Sequence, residues 1–147
     1  MQKLLKALLL TASLALAVPT FGTLQPYLAL FDQKEVTCLA RAIYHESRGE
    51  IRAGQYAVAK TVVNRAMDSR FPKTICGVVY QPGQFTGIRQ LRVIDKDAWA
   101  RAMDIAYEVL NMQGNHNFKA LYFHTKYVSP GWKKRPIARI GNHIFYT

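Results

Sequence analysis

The pattern of apolar residues changes after Leu110, and this change constrains the fold more than any other feature. Before it, apolar side chains recur at helical spacing and predict helices starting at Asp32, from about Ala53 to Met67, and from about Asp97 to Leu110. After it, two short extended runs flank Gly141–Asn142, a sequence typical of a β-hairpin turn. Helices followed by short strands predict an α+β domain.

Local signals predict where several elements begin and end. Asp32 and Glu35 have the spacing of a capping box at the start of the first helix. Gly49 is placed to end that helix in a left-handed conformation. Residues 74–80 predict one or two helical turns, and residues 84–94 predict a loop with room for a short strand.

The first residues have the features of an export signal. Lys3 and Lys6 precede a mostly apolar stretch at residues 7–18 that is too short to cross a bilayer comfortably, and Ala15 and Ala17 supply an A-x-A cleavage site. The alternative is an uncleaved membrane anchor. The predicted organisation is a signal peptide at residues 1–17, an N-terminal arm at 18–31 and one domain at 32–147. We therefore expect an exported protein, periplasmic or extracellular, with no stable membrane insertion after cleavage.

Cys38 and Cys76 are the two cysteines of the chain. In an exported protein an even pair predicts a disulfide. The competing interpretation makes Cys76 a papain-like nucleophile with His124 or His143 as its base, although no local signature accompanies it.

Glu46 stands apart from the other acidic residues, most of which lie at predicted helix starts or on polar helical faces. On a continuous helix, Glu46 falls at the edge of the apolar stripe that includes Leu39 and Ile43. Partial burial disfavours the charged form of a carboxyl group, which suits a group that must donate a proton near neutral pH. The alternative is a structural ion pair with Arg41, Arg48 or another base.

The pair His45–Glu46 begins like the zinc motif H-E-x-x-H, but Gly49 occupies the position of the second histidine. The remaining histidines lack ligand spacing. We therefore expect no metal and no cofactor, and we interpret His45 as a flanking or packed residue.

Four segments, in matching order and spacing, resemble the SleB/CwlJ cell wall hydrolase family: CLARAIYHESRGE at residues 38–50, GQYAVAKTVVNR at 54–65, FPKTICGVVYQPGQF at 71–85 and IGNHIFY at 140–146. The resemblance implies a small lysozyme-like fold, related to resuscitation-promoting factors and lytic transglycosylases. It also implies peptidoglycan as substrate, cut between N-acetylmuramic acid and N-acetylglucosamine to leave a 1,6-anhydromuramyl end. The catalytic acid that it implies is the first Glu of the E-[AS]-R-G-E block, here Glu46.

Other residues have the chemistry that a glycan cleft needs. Glu50 is the obvious second carboxylate for a hydrolytic variant, but we favour a structural or orienting role for it. Flat rings and polar groups that suit sugars include Tyr44, Trp132 and Tyr146, and the predicted substrate contacts are Gln84, Phe85, Tyr122, His124, Glu50 and Asn142. Gln84 and Tyr122 are the strongest of these predictions, because Gln84 follows a Pro-Gly turn and Tyr122 alternates with an apolar neighbour along the chain.

The formal net charge is +11, and no acidic residue follows Glu108. This charge would attract the carboxylates of peptidoglycan, and we expect no nucleic-acid partner because no recognition motif is present. A monomer is expected. Three functions remain open: a glycan-cleaving enzyme that uses Glu46, a non-catalytic cell-wall binding protein, and a peptidase that uses Cys76.

Overall fold

The computed structural model describes residues 32–111 and 117–147. Within these ranges the elements are α1 (Gln33–Ser47), α2 (Arg52–Met67), α3 (Ile75–Val79), a 3-10 turn (Ile88–Gln90), α4 (Lys96–Asn111), β1 (Tyr122–Thr125), β2 (Pro136–Ile140) and β3 (His143–Tyr146). The predicted α+β order is confirmed. The 3-10 turn takes the place of the short strand expected within residues 84–94. The predicted signal peptide and arm lie outside the described residues, and none of the described helices is long and apolar enough to span a membrane.

The start of α1 differs from a complete capping box. Asp32 caps the helix as predicted, since its side chain accepts a hydrogen bond from the backbone N–H of Lys34. Glu35 does not reach back to the cap. Its Oε2 instead accepts from the backbone N–H of Cys76 at 3.2 Å, so this carboxylate joins the start of α1 to α3.

The prediction of a left-handed Gly49 was wrong. Helix α1 ends at Ser47, and Arg48 caps it with a right-handed backbone conformation at φ −58°. The described glycines with positive φ are at positions 83, 87, 131 and 141. The chain instead makes a turn in which the N–H of Glu50 donates to the carbonyl of Ser47, and it enters α2 immediately afterwards.

Helix α1 lies at the centre of the helical layer and packs against α2, α3 and α4. Leu39, Ile43 and Tyr44 are fully buried along it. The buried Tyr44 hydroxyl accepts hydrogen bonds from the backbone N–H groups of Ile94 and Asp95, which satisfies a polar group inside the core. At the C-terminal end of α1, His45 and Glu46 are partly exposed.

The three strands form an antiparallel sheet in the order β1–β3–β2. Gly141 and Asn142 connect β2 to β3, which confirms the predicted hairpin, and Gly141 has the positive φ of +59° that a tight turn of this kind requires. Phe123 and Phe145 pair in register and pack with residues of α2 in a second apolar cluster. Because side chains alternate along a strand, the neighbours of these phenylalanines lie on the other face of the sheet.

The predicted disulfide between Cys38 and Cys76 is confirmed, and it joins α1 to α3. The interpretation of Cys76 as a nucleophile was wrong, because its sulfur is bonded to that of Cys38 and is not available as a thiolate.

Candidate active site

A cavity of about 380 Å³ lies between the end of α1, the loop at residues 83–85, and β1 with its connection to β2. Its volume is within the range of about 300–1,000 Å³ that is usual for ligand sites. Four predicted site residues line it together: Glu46, Gln84, Phe85 and Tyr122. Much of the remaining wall is formed by Arg65, Trp132 and Lys134.

Glu46 occupies the last turn of α1, and about a quarter of its side chain is exposed. The Nδ1 atom of His45 lies 2.7 Å from the Oε1 atom of Glu46. A neutral imidazole can accept from a protonated carboxyl group or donate to a carboxylate, depending on its tautomer. This contact is therefore compatible with a protonated or an ionised carboxyl group, and it gives His45 a hydrogen-bonding partner in addition to the flanking or packed position that the sequence predicts.

The arginines near Glu46 in sequence do not pair with it. Arg41 donates to the carbonyl of Ile88 at 3.4 Å. The guanidinium of Arg48 lies over the ring of Tyr44, 5.2 Å from its centroid. Neither arginine therefore forms a structural ion pair with Glu46, whereas His45, another base, contacts its carboxyl group.

Arg65 is the main site residue that the sequence analysis missed. It is 5% exposed, its Nε donates to the carbonyl of Leu121 at 2.6 Å, and its Nη1 donates to the Oε1 of Gln84 at 2.9 Å. Burial lowers the pKa of Arg65, while Tyr122 and Glu46 act in the opposite direction. Three rings surround the guanidinium at 5.4–6.0 Å from their centroids: Phe71, Phe85 and Tyr122. Arg65 thus fixes the Gln84 side chain and the start of β1 around one buried cation.

Glu50 and Asn142 do not line the cavity, but they bind each other. Oε2 of Glu50 accepts from the backbone N–H of Asn142, and Oε1 accepts from its Nδ2, both at 2.8 Å. We call this pair the Glu50–Asn142 clasp. Burial alone would raise the pKa of Glu50, but the hydrogen bonds from Asn142 and the nearby His143 and Lys126 lower it below its ordinary value. The clasp joins the α1–α2 turn to the hairpin, which favours a structural role for Glu50.

His124 lies behind the cavity wall. Its Nε2 is 2.8 Å from the hydroxyl oxygen of Tyr146, and the two rings stack with centroids 5.3 Å apart. Its ring also contacts that of Trp132, which does line the cavity. Because His124 does not line the cavity, its predicted direct contact with the substrate is not seen in the cavity lining. His124 can act on a ligand through Trp132.

His143, on the core face of the sheet, is 2% exposed, and neither ring nitrogen has a hydrogen-bond partner among the described residues. Burial lowers its pKa, and the charges of Glu50 and Glu46 oppose this only in part. The ring is therefore neutral at neutral pH, and its edge packs against Phe123 at a centroid distance of 5.3 Å. His143 does not line the cavity, where the cations of the wall are Arg65 and Lys134.

The Glu50–Asn142 clasp makes Gly141 difficult to replace. A Cβ atom at Gly141 would collide with the Glu50 carboxylate, and a residue other than glycine is strained at φ +59°. We expect Gly141→Ala to lower the free energy of unfolding by about 2 kcal/mol at pH 7, from backbone strain and weakened hydrogen bonds. Urea unfolding measures the change.

Gly49→Ala is the matched control, because the Cβ atom at Gly49 meets open space and its φ is not positive. It should change the free energy of unfolding by less than about 0.5 kcal/mol. Because the pKa of Glu50 is lowered in the folded state, the clasp stabilises the protein above the unfolded-state pKa and loses this contribution as the pH falls through the folded-state pKa. The difference in free energy of unfolding between Gly141→Ala and Gly49→Ala should therefore become smaller at acidic pH. Equal effects of the two substitutions at pH 7 would contradict the clasp.

Within the described ranges, the chain has four helices, a small antiparallel sheet and a carboxyl group in a cleft at the end of the central helix. These features define the class of lysozyme-like α+β domains. The model of the Cell Wall Hydrolase family matches residues 49–146, and the chain belongs to that family. The matched range starts just after Glu46.

Several relatives share this domain. Spore cortex-lytic enzymes from Bacillus cereus and Oceanobacillus iheyensis are 32% and 33% identical over 120 and 124 residues, which is 78% of this chain. The chain covers 45% and 42% of these relatives, so it spans less than half of their length. The solved catalytic domain of the germination-specific lytic transglycosylase SleB from Bacillus anthracis is 30% identical with a TM-score of 0.66, covering 80% of this chain and 97% of that one. The SleB catalytic domain from Bacillus cereus matches with the same identity and TM-score.

Proposed function

We propose that this domain cleaves the glycan strands of peptidoglycan between N-acetylmuramic acid and N-acetylglucosamine by lytic transglycosylation, with Glu46 as the single general acid and base. The observation that carries the proposal is the carboxyl group of Glu46 in a cavity walled by aromatic rings and the Gln84 amide. The similarity to the catalytic domain of a lytic transglycosylase supports it.

The reaction requires two proton transfers, one from Glu46 and one back to it. Protonated Glu46 donates its proton to the glycosidic oxygen as the bond from that oxygen to the muramyl anomeric carbon breaks. The resulting carboxylate accepts the proton of the muramyl C6 hydroxyl, whose oxygen bonds to the anomeric carbon. Glu46 is then protonated again, no water is consumed, and the products are a 1,6-anhydromuramyl end and a free hydroxyl on the N-acetylglucosamine. The His45 contact accommodates both states of the carboxyl group.

A second carboxylate is unnecessary for this route. Hydrolysis with two carboxyl groups requires the second to act as a nucleophile or to activate water. Both oxygens of Glu50 accept hydrogen bonds from Asn142, which disfavours either role. A muramidase that uses Glu46 and Glu50 is the alternative enzyme, and a non-catalytic wall-binding relative is the alternative without turnover.

The cavity residues have complementary roles toward the glycan. The Oε1 of Gln84 accepts from Arg65, which leaves its amide N–H groups to donate to the carbonyl of an N-acetyl substituent. Phe85 and Tyr122 provide apolar walls. The cation of Lys134 in the wall and the basic residues after Glu108 attract the carboxylates of the peptide stems. Action on peptidoglycan implies an extracytoplasmic location, and we propose a monomer with no nucleic-acid partner.

Mass spectrometry of peptidoglycan digests tests the proposal. We expect the wild type and Glu50→Gln to release the same fragments with 1,6-anhydromuramyl ends, because Glu50 does not take part in the chemistry. Thermal unfolding of Glu50→Gln verifies that the variant is folded. Reducing muramyl ends that disappear in Glu50→Gln would support hydrolysis by the two carboxylates instead. Binding to peptidoglycan without any fragments would support the non-catalytic alternative.

A further inference from the structure

Trp132 is an exposed aromatic residue at the rim of the cavity. Its side chain lines the cavity, and the residue is 43% exposed. Three aromatic side chains contact its ring at steep interplanar angles, with centroids 5.8–5.9 Å away: Tyr122, His124 and Tyr146. The indole is therefore held on one side by the sheet and is open to solvent on another.

The aromatic residues that contact Trp132 also contact one another. Tyr122 and Tyr146 are partners across β1 and β3, and His124 contacts Tyr146 through both its ring face and its Nε2 atom. The ammonium group of Lys134 lies 4.2 Å from the centroid of the Tyr122 ring and donates to the carbonyl of Thr147. Because these neighbours are fixed by strand pairing and hydrogen bonds, little side-chain freedom remains to be lost when a ligand binds.

A half-exposed indole suits a particular kind of ligand surface. The face of an aromatic ring carries partial negative charge and attracts the weakly positive C–H groups of an apolar surface. A hexosamine ring presents such C–H groups on one face and polar substituents around its edge. We propose that Trp132 is a stacking platform for an N-acetylhexosamine ring of the glycan, beside the bond that Glu46 protonates. This inference rests on the proposed function and adds a specificity-determining residue to it.

The chain has two tryptophans, which makes the platform directly observable. Trp99 lies on α4, packs edge-on against Tyr44 at 6.0 Å, and is not part of the cavity lining. In a Glu46→Gln background, Trp99→Phe leaves Trp132 as the fluorophore, and Trp132→Phe leaves Trp99. The probes are peptide-free glycan strands from purified peptidoglycan and, separately, the tetramer of N-acetylglucosamine.

We expect a saturable change in tryptophan emission on adding glycan strands to the Trp99→Phe protein and none in the Trp132→Phe protein. Calorimetry should show that Trp132→Ala binds the strands about ten-fold more weakly, whereas Trp99→Phe binds like its parent. Binding of the tetramer with the same dependence on Trp132 would show that the platform accepts N-acetylglucosamine. Binding by calorimetry without any change in Trp132 emission would overturn the platform, as would equal affinity of Trp132→Ala.

Cleavage kinetics separate this inference from the proposed function. With active enzyme, Trp132→Ala should raise KM about ten-fold with a much smaller effect on kcat. Unchanged kinetics would overturn the platform and leave the proposed function intact. Binding that depends on Trp132 in a wild-type protein that cleaves nothing would overturn the function and leave the platform intact. Thermal unfolding of each variant, with Trp132→Phe as the conservative replacement, separates lost stacking from lost folding.

Discussion

Glu46→Gln is expected to lower the rate of glycan cleavage about 1,000-fold, because general acid–base catalysis by a positioned side chain contributes about 10²–10⁴ in rate. The amide has nearly the same shape as the carboxyl group and can still make a hydrogen bond to His45, but it cannot donate a proton to the glycosidic oxygen. The measurement is the initial rate at which 1,6-anhydromuramyl ends appear in a digest of purified peptidoglycan.

Glu108→Gln is a suitable control for this experiment. Glu108 is a glutamate on α4 that pairs with Arg52 at the surface and does not line the cavity. Its replacement should leave the cleavage rate within about two-fold of the wild type, because a surface ion pair contributes little to stability. Glu46→Gln should also retain its binding to peptidoglycan and its thermal stability. Retention of more than a tenth of the wild-type rate by a folded Glu46→Gln protein would exclude Glu46 as the proton donor.

Removal of the disulfide is expected to have the largest effect on stability. Cys38 and Cys76 are 38 residues apart in sequence, and loop entropy predicts that Cys38→Ala with Cys76→Ala lowers the free energy of unfolding by about 4 kcal/mol. Urea unfolding of the oxidised wild type and of the double variant measures the difference. Alanine avoids placing a hydroxyl group in the core, where both cysteines are buried.

Two further measurements check the cysteine prediction. The mass of the oxidised wild type should be two hydrogens lower than that of the dithiol form. In the presence of a reductant, the wild type should unfold at nearly the same urea concentration as the double variant. The prediction would be contradicted by two free thiols in protein kept under oxidising conditions. It would also be contradicted if the double variant lost less than about 1 kcal/mol in free energy of unfolding.

The features that the sequence predicts well are those whose signals are local. The helices follow from apolar spacing and from caps such as Asp32, and the hairpin follows from Gly141 and Asn142. The disulfide follows from simple pairing, because no third cysteine competes. Glu46 was singled out because its polar side chain falls at the edge of an apolar stripe. In the structure it lines the cavity at the end of α1.

Several of the features that were missed depend on partners distant in sequence. The hydrogen bond from Cys76 to Glu35 spans 41 residues, that from Arg65 to Leu121 spans 56, and that from Asn142 to Glu50 spans 92. Helical spacing shows that a polar residue faces the interior, but it does not identify the group with which that residue will form a hydrogen bond. Arg65 lies near the end of a helical segment whose apolar residues predict that it packs in the core. Because arginine is rarely buried without a partner, this position could have indicated that Arg65 binds other groups there.

The order of the strands determines when the cleft can first exist. β3 follows both of its neighbours in the sequence, yet it lies between them, and β1 and β2 each pair with it. A nascent chain that stops before His143 has no middle strand, so the aromatic wall cannot assemble opposite Glu46. An incomplete copy of this chain should therefore lack the glycan-cleaving activity that we propose.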